Sequence, residues 1–363
     1  MRAVGIILAG GNTKRMKALS DKRAVAAMPI AGSYRSIDFA LSNMTNSHVQ
    51  KVAVLTQYNS RSLNEHLSSS KWWNFGRKQG GLFVFPPTIT TTNSYWYRGT
   101  ADAMAQNISW LKECHEPYVI ISPGDCIYKL DFNRILEFHI AKRADITVVS
   151  KEIYNEDVTR FGVIKVNDDD RIVEFNEKPM ISNEHLISTG VYVLRRHLLI
   201  ELLEKTAMED RYDFVQDILM RYKDLKRIYS YKMVSYWSNI ATVDSYFRTN
   251  MDFLNPETRA HFWHDEPTIY TKIDDNPPAK YNPPSSVRNA LVASGCIING
   301  HVEDAILFKN VFVGSNCTIR NAIILNGVHI SDNCCIQNCI VESGTTIAPG
   351  SVYVGENEIK IVT

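Results

Sequence analysis

The carboxyl-terminal part of the chain carries a hydrophobic repeat that few architectures accommodate. Apolar residues recur at Val313, Ile319, Leu325, Ile330, Ile336, Val341, Ile347 and Val352, seven successive intervals of six or five residues. A helical face repeats about every 3.6 residues and a strand face about every 2, so neither element fits. A parallel β-helix does: each short strand occupies one side of a coil, and small residues turn the corners. Composition agrees, since residues 285–363 hold 25 Ile, Val or Leu, nine Asn and seven Gly but only ten charges. Cys317, Cys334 and Cys339 then read as small inward-facing core residues rather than metal ligands. His329 reads as a surface turn residue; taken instead as the base of a hexapeptide acyltransferase, it would leave the rest of the chain unexplained.

Ahead of the repeat, five of the thirteen prolines fall between Pro267 and Pro284, including two Pro-Pro pairs. Such a stretch is neither helix nor central strand, so residues 265–284 are expected to be an extended linker. It would divide a first domain, 1–264, from the β-helix, 285–363. Two domains also suit 363 residues at roughly 150 per domain.

The first domain alternates strands and helices. Ala3–Ala9 (AVGIILA) is a continuously apolar run ending in Gly10-Gly11, as expected for a parallel strand buried on both faces. Residues 51–58 (KVAVLTQY) and 118–122 (YVIIS) look like two more. Between them Thr100 is expected to cap a helix that carries Met104, Ala105, Ile108 and Leu111 on one face. Further helices are expected over 133–143 and 196–205, and a hairpin over 161–166 and 171–177 around Asp168-Asp169-Asp170. The sum is an α/β domain with a mostly parallel sheet.

Forty Lys and Arg against thirty-nine Asp and Glu leave a net charge of +1, too little for bulk attraction to nucleic acid or an anionic membrane. Any phosphate must be held by a local site. The early apolar run is too short to span a bilayer, and no signal-peptide cleavage region follows it. Seven cysteines without a CxxC pair suggest reduced thiols and a cytoplasmic protein.

Two spots could carry chemistry. Gly10-Gly11 at a strand's carboxyl end exposes backbone N–H groups able to cradle a phosphate or a base, or it is a plain tight turn. Asp125 in Pro123-Gly124-Asp125 sits where a sheet's carboxyl edge places a metal-binding carboxylate, or it caps a turn.

Longer blocks decide more. LAGG with Arg15, KRA (22–24), RSIDFALSN (35–43), TQY (56–58), YWYRGTADA (95–103), GDCIYKLD (124–131), FGV (161–163), FNEKP (175–179), STGVYVL (188–194), DFVQD (213–217) and YWSNIAT (236–242) stand in this order. The chain thereby resembles, over nearly its whole length, the bacterial glucose-1-phosphate adenylyltransferases (ADP-glucose pyrophosphorylases). The resemblance implies a Rossmann-like nucleotidyltransferase domain followed by a left-handed parallel β-helix, and a reaction joining a sugar 1-phosphate to a nucleoside triphosphate with magnesium.

The departures fall on one side of the implied site. The family's GGxGTRL is here GGNTKRM, so Thr13 replaces a glycine and crowds the approach to the triphosphate, although Arg15 is kept. Its KRAKPAV is here KRAVAAM, so Val25 stands for the phosphate-contacting lysine. Its YWRDVGT is here YWSNIAT, so Asn239 stands for a metal-binding aspartate and brings a dipole in place of a full charge. Asp125 remains, with Cys126 where the family has His. The resemblance assigns Tyr97, Glu177, Lys178, Ser188, Tyr192 and Asp213 to glucose 1-phosphate. It assigns Gly10, Gly11, Gln57 and Trp96 to the nucleotide, and Lys22 and Arg35 to an effector site between the domains.

Random decay would not spare one half of a site. The pattern resembles a regulatory-type subunit with little activity of its own, binding sugar phosphate and modulating a catalytic partner in glycogen synthesis. A homo- or hetero-tetramer is expected, and magnesium only if the chain is active. The alternative is an active adenylyltransferase making ADP-glucose and pyrophosphate from ATP and glucose 1-phosphate.

Overall fold

Strand Ala3–Ala9 lies in the interior of a sheet that is nine-stranded among the described residues; it pairs in parallel with Lys51–Thr56 on one side and Tyr118–Pro123 on the other. The computed structural model describes residues 2–11, 14–76, 80–91, 94–154 and 157–363. Lys51–Thr56 continues in parallel to Gly81–Phe85. Beyond Tyr118–Pro123 the sheet changes sense. Leu186–Arg195 runs antiparallel to that strand, to Ile146–Glu152 and to Gly162–Val166, and its register slips between Ser188 and Tyr192. The expected hairpin forms from Gly162–Val166 and Ile172–Glu177.

Helices Phe132–Ala141 and Arg196–Met208 form where expected. The helix expected from Thr100 is instead two, Thr100–Gln106 and Ile108–Glu113, broken at Asn107. Thr100 is also not the cap. The Tyr212 carbonyl accepts from the Ala101 and Asp102 N–H groups, which would otherwise be orphaned, and Thr100 Oγ1 accepts from Phe214 N–H at 2.9 Å.

His139, 1% exposed, carries a built-in acid sensitivity. Its Nδ1 lies 2.8 Å from Thr147 Oγ1. Burial pushes the imidazole down from 6.5 to about 4, with the Arg195 charge adding to the effect. The unfolded chain therefore takes up this proton first as pH falls. Stability held above pH 6.5 is lost progressively toward pH 4, by about 3 kcal/mol at most from this group. His139→Leu should flatten the stability–pH slope in that window in urea titrations; an unchanged slope would refute the assignment.

In the β-helix, Lys280–Tyr281, Ile297–Ile298, Phe312–Val313, His329–Ile330 and Thr346–Ile347 pair in parallel as one face. Ser286–Val292, His301–Leu307, Thr318–Ile324 and Cys335–Val341 bend to form two more. His301 sits beside Thr318 and Thr318 beside Cys335, a coil of 17 residues. Three faces per coil explain the mixed spacing of six and five. The asparagines work at the bends: Asn321 (φ 45°) and Asn338 (φ 52°) adopt the left-handed conformation that Asn tolerates, and Asn321 Nδ2 donates to Asn338 Oδ1 at 2.7 Å. Cys317, Cys334 and Cys339 are buried inside the coil, as expected.

Three details of the repeat differ. Val352 is 66% exposed, because Tyr353 takes the position beside Ile336 that continues the inward row. Leu325 is buried, but outside the coil, against the α/β domain. His329 lies in a short strand rather than a turn, with its exposed ring stacked on Phe312 at 4.5 Å.

The segment expected as a linker is a strap. Tyr270 N–H donates to Ser42 Oγ at 2.9 Å, Thr271 Oγ1 donates to Asp38 Oδ2 at 2.5 Å, and Trp73 Nε1 donates to the Tyr270 carbonyl. β-Helix pairing begins within it, at Lys280 rather than at 285. Phe39, Ile127, Tyr246 and Phe262 share one core with Ile306, Phe308, Ile323 and Ile340, so the β-helix packs directly on the α/β domain. No helix among the described residues is long and apolar enough to cross a membrane.

Candidate functional site

Parallel register assembles the site. Ala9 pairs with Thr56 and Leu8 with Pro123, so the turns after all three strands emerge together at the sheet's carboxyl edge. Gly124 N–H donates to the Leu8 carbonyl at 3.0 Å, and a Cβ at Gly124 would come within 3.2 Å of the Ala26 methyl. That close approach holds Val25-Ala26 against the edge. The result is a 440 Å³ cleft lined by Gly10, Gly11, Val25, Gln57, Tyr97 and Asp125, among others.

A second hollow of 170 Å³ adjoins it across Pro123 and Asp125; Glu177, Lys178, Ser188, Tyr192 and Asn239 are among its lining residues. The register slip in Leu186–Arg195 turns Ser188 toward Tyr192, whose hydroxyl lies 3.3 Å from Ser188 Oγ. Burial, with the Glu177 and Asp213 charges behind it, pushes the Tyr192 phenol well above its ordinary range, so it stays a neutral hydrogen-bonding group. Lys178 Nζ lies 3.0 Å from Glu177 Oε1 and is largely exposed. Its φ of 47° is held by its N–H donating to the Phe161 carbonyl at 3.1 Å. Gly162 makes room for Glu177, since a Cβ there would meet Glu177 Oε2 at 2.9 Å.

At the junction, burial pushes the Asp125 carboxyl up, while hydrogen bonds from its own backbone, Asn239 and Cys126 oppose that rise. Cys126 is raised well above its ordinary value by burial and the Asp125 charge, which makes it an inert thiol. Asn239 Oδ1 accepts from Ala241 N–H at 3.0 Å, and its Nδ2 lies 3.4 Å from Cys126 Sγ. These residues do not fit a two-carboxylate magnesium clamp, because the amide's acceptor is already used. Among the described residues no group of three or more His, Cys, Asp or Glu side chains could hold a metal ion.

Of the other expected residues that the structure describes, Gln57 lines the cleft and the rest lie outside both the cleft and the hollow. Trp96 is 66% exposed and Arg15 is exposed; neither lines the cleft or the hollow, and the Arg15 charge acts on Asp157. Asp213 caps a helical turn, its Oδ1 accepting from Val215 and Gln216 N–H at 2.8 Å, although its charge still reaches Tyr192. Gln57 lines the cleft with its amide committed: Oε1 accepts from Tyr97 N–H at 2.8 Å, and Nε2 donates to the Tyr97 carbonyl. Arg35 lines a separate 350 Å³ hollow between the domains, with Glu65, His66, Lys272, Asp274 and Lys309. Lys22 is exposed outside that hollow. Thr13 lies outside the described residues.

Sequence reasoning did not single out Arg98, a cation that lines the cleft. Its guanidinium donates to both Asp102 oxygens and to Tyr212 Oη, and lies 3.8 Å from the Tyr212 ring centroid. The Arg98–Asp102 spacing of four residues was the available signal.

Comparison with known proteins agrees with this architecture. Residues 4–255 match the family described as Nucleotidyl transferase, and residues 277–360 match GlmU-like, C-terminal hexapeptide. Proteins named glucose-1-phosphate adenylyltransferase are similar along most of the chain. The one from Clostridium novyi is 36% identical over 87% of this chain and 84% of its own length. Those from Geobacillus stearothermophilus and Bacillus subtilis are each 35% identical over 88% of this chain, and over 83% and 84% of their own lengths respectively.

Proposed function

This chain belongs to the glucose-1-phosphate adenylyltransferase family, and we propose that it serves there as a catalytically weakened, regulatory-type subunit. In this reading it holds a sugar phosphate, makes little or no ADP-glucose itself, and modulates a catalytic partner in bacterial glycogen synthesis. The carrying observation is the asymmetry about Asp125. On one side the cleft presents a buried valine at position 25 and, among the described residues, one lining cation, Arg98, which is locked to Asp102. On the other, Lys178 is paired with Glu177 but largely exposed and can meet a phosphate as a point charge, Glu177 can accept hydrogen bonds from sugar hydroxyls, and Ser188 and Tyr192 add neutral partners.

The second reading, an active enzyme that joins ATP and glucose 1-phosphate, is favoured by the retained Asp125. Nucleotidyl transferases typically use magnesium, and against this reading stands the committed carbonyl of Asn239. In the regulatory reading the chain works in the cytoplasm as part of a homo- or hetero-tetramer with catalytic subunits. Of the two effector candidates, Arg35 is the stronger, because it lines the interdomain hollow.

Titration calorimetry tests the ligand choice. Glucose 1-phosphate should bind, and Lys178→Ala should weaken it by about tenfold, the loss of one charge-assisted contact. Magnesium-ATP should bind weakly. Tight ATP binding with no response to sugar phosphates would reverse the assignment.

A further inference from the structure

We propose that the Asn239 carboxamide, acting through the Cys126 thiol, is a built-in substitute for a bound divalent cation, supplying Asp125 with the positive pole that a metal would otherwise provide. The inference deepens the regulatory reading and rests on it. Backbone geometry sets the pairing: Asn239 stands directly opposite Cys126 in the antiparallel ribbon of Cys126–Tyr128 and Trp237–Asn239, and Ile240 N–H donates to the Asp125 carbonyl at 3.1 Å. Directly opposed residues present their side chains on the same face.

The amide cannot be turned round without loss. Its Oδ1 is held by Ala241 N–H at 3.0 Å, so Nδ2 faces the Cys126 sulfur at 3.4 Å, in the hollow that Asp125 also lines. The Cys126 thiol points at Asp125 Oδ1 from 3.8 Å. Asp125 is thus met by donors from its own neighbourhood. An aspartate at 239 would reverse that polarity. Ala241 N–H can satisfy one of its oxygens, but the other would confront Asp125 with no cation between them. Position 239 is therefore a switch between a metal-independent and a metal-requiring site, and Asn239 acts as a positioning residue.

The 363-residue chain tests this without turnover. Wild type should unfold at the same temperature in EDTA and in magnesium chloride, and should bind no manganese at Asp125 by electron paramagnetic resonance. N239D should unfold at least about 3 °C lower in EDTA, a loss of roughly 1 kcal/mol, and recover in magnesium. It should also gain one manganese ion, lost again in the double variant D125N/N239D. A wild-type manganese site abolished by D125N overturns the proposal, as does an N239D that ignores magnesium or folds in neither buffer. A wild type that binds manganese yet makes no ADP-glucose would sink this inference and spare the regulatory reading. Turnover without a metal response at Asp125 would end the regulatory reading, and the inference with it.

Discussion

Supplied with saturating magnesium, ATP and glucose 1-phosphate, the purified chain is expected to make ADP-glucose at least about a hundredfold more slowly than a catalytic relative. Two changes combine. Val25 offers a methyl group to the cleft where a lysine would stabilise charge on the transferring phosphate, and Asn239 offers a committed amide where a carboxylate would hold magnesium. Removing one such contact typically costs about 10²–10³ in rate, and groups acting as a unit are not additive, so about a hundredfold is the minimum expected. Arg98 does not compensate, because both nitrogens facing Asp102 are occupied. Mixed with a catalytic partner, the same chain should raise the partner's affinity for substrate or activator through contacts that differ between two states of the complex. The reverse substitution is the sharper test. V25K/N239D should raise the residual rate by about tenfold or more, with T13G adding to it. Wild-type turnover comparable to a catalytic relative would restore the enzyme reading.

The second large effect is expected at Glu342. This side chain, 1% exposed, reaches from the β-helix to Arg23 in the KRA segment, and the two form a buried ion pair. Glu342 Oε1 also accepts from Ser343 N–H at 2.6 Å. Glu342→Ala would leave the Arg23 guanidinium buried without its countercharge, which costs about 3–5 kcal/mol. The unfolding midpoint in urea should fall accordingly. Arg23 Nη1 and Glu342 Oε2 have no hydrogen-bond partner, so the pair is under-satisfied. Arg23→Met with Glu342→Leu should therefore be close to neutral, because it removes both desolvation penalties. A loss below about 0.5 kcal/mol for the single variant, measured against the double, would show that Arg23 finds water or another partner. Position 23 lies just ahead of the Val25-Ala26 wall of the cleft, so the pair also ties the β-helix to that wall.

What the sequence determined by itself is what local burial patterns encode. The six-five repeat specifies a parallel β-helix because each coil must place an apolar side chain on every inner face. The uninterrupted apolar run Ala3–Ala9 specifies a central parallel strand because both its faces are covered. The quoted blocks located most of the residues around Asp125, since parallel register brings strand ends together whatever the turns between them do.

The tertiary structure alone decided which polar atoms remain available. Asn239 could have offered its oxygen or its nitrogen; Ala241 N–H chose the oxygen. Arg98, which sequence reasoning did not single out, lines the cleft with its guanidinium held by Asp102 and by Tyr212, the latter 114 residues away in sequence. Lys22 and Arg35 flank one segment but do not share one hollow, because Arg35 donates to the Ser62 carbonyl and hydroxyl at 2.7 and 2.8 Å. The proline-rich strap looks free until Tyr270 and Thr271 bond to Ser42 and Asp38. Hydrophobic burial is a property of each residue averaged over a face, so it is written along the chain. A hydrogen bond is a property of two atoms within about 3 Å, and only the folded packing settles which two meet.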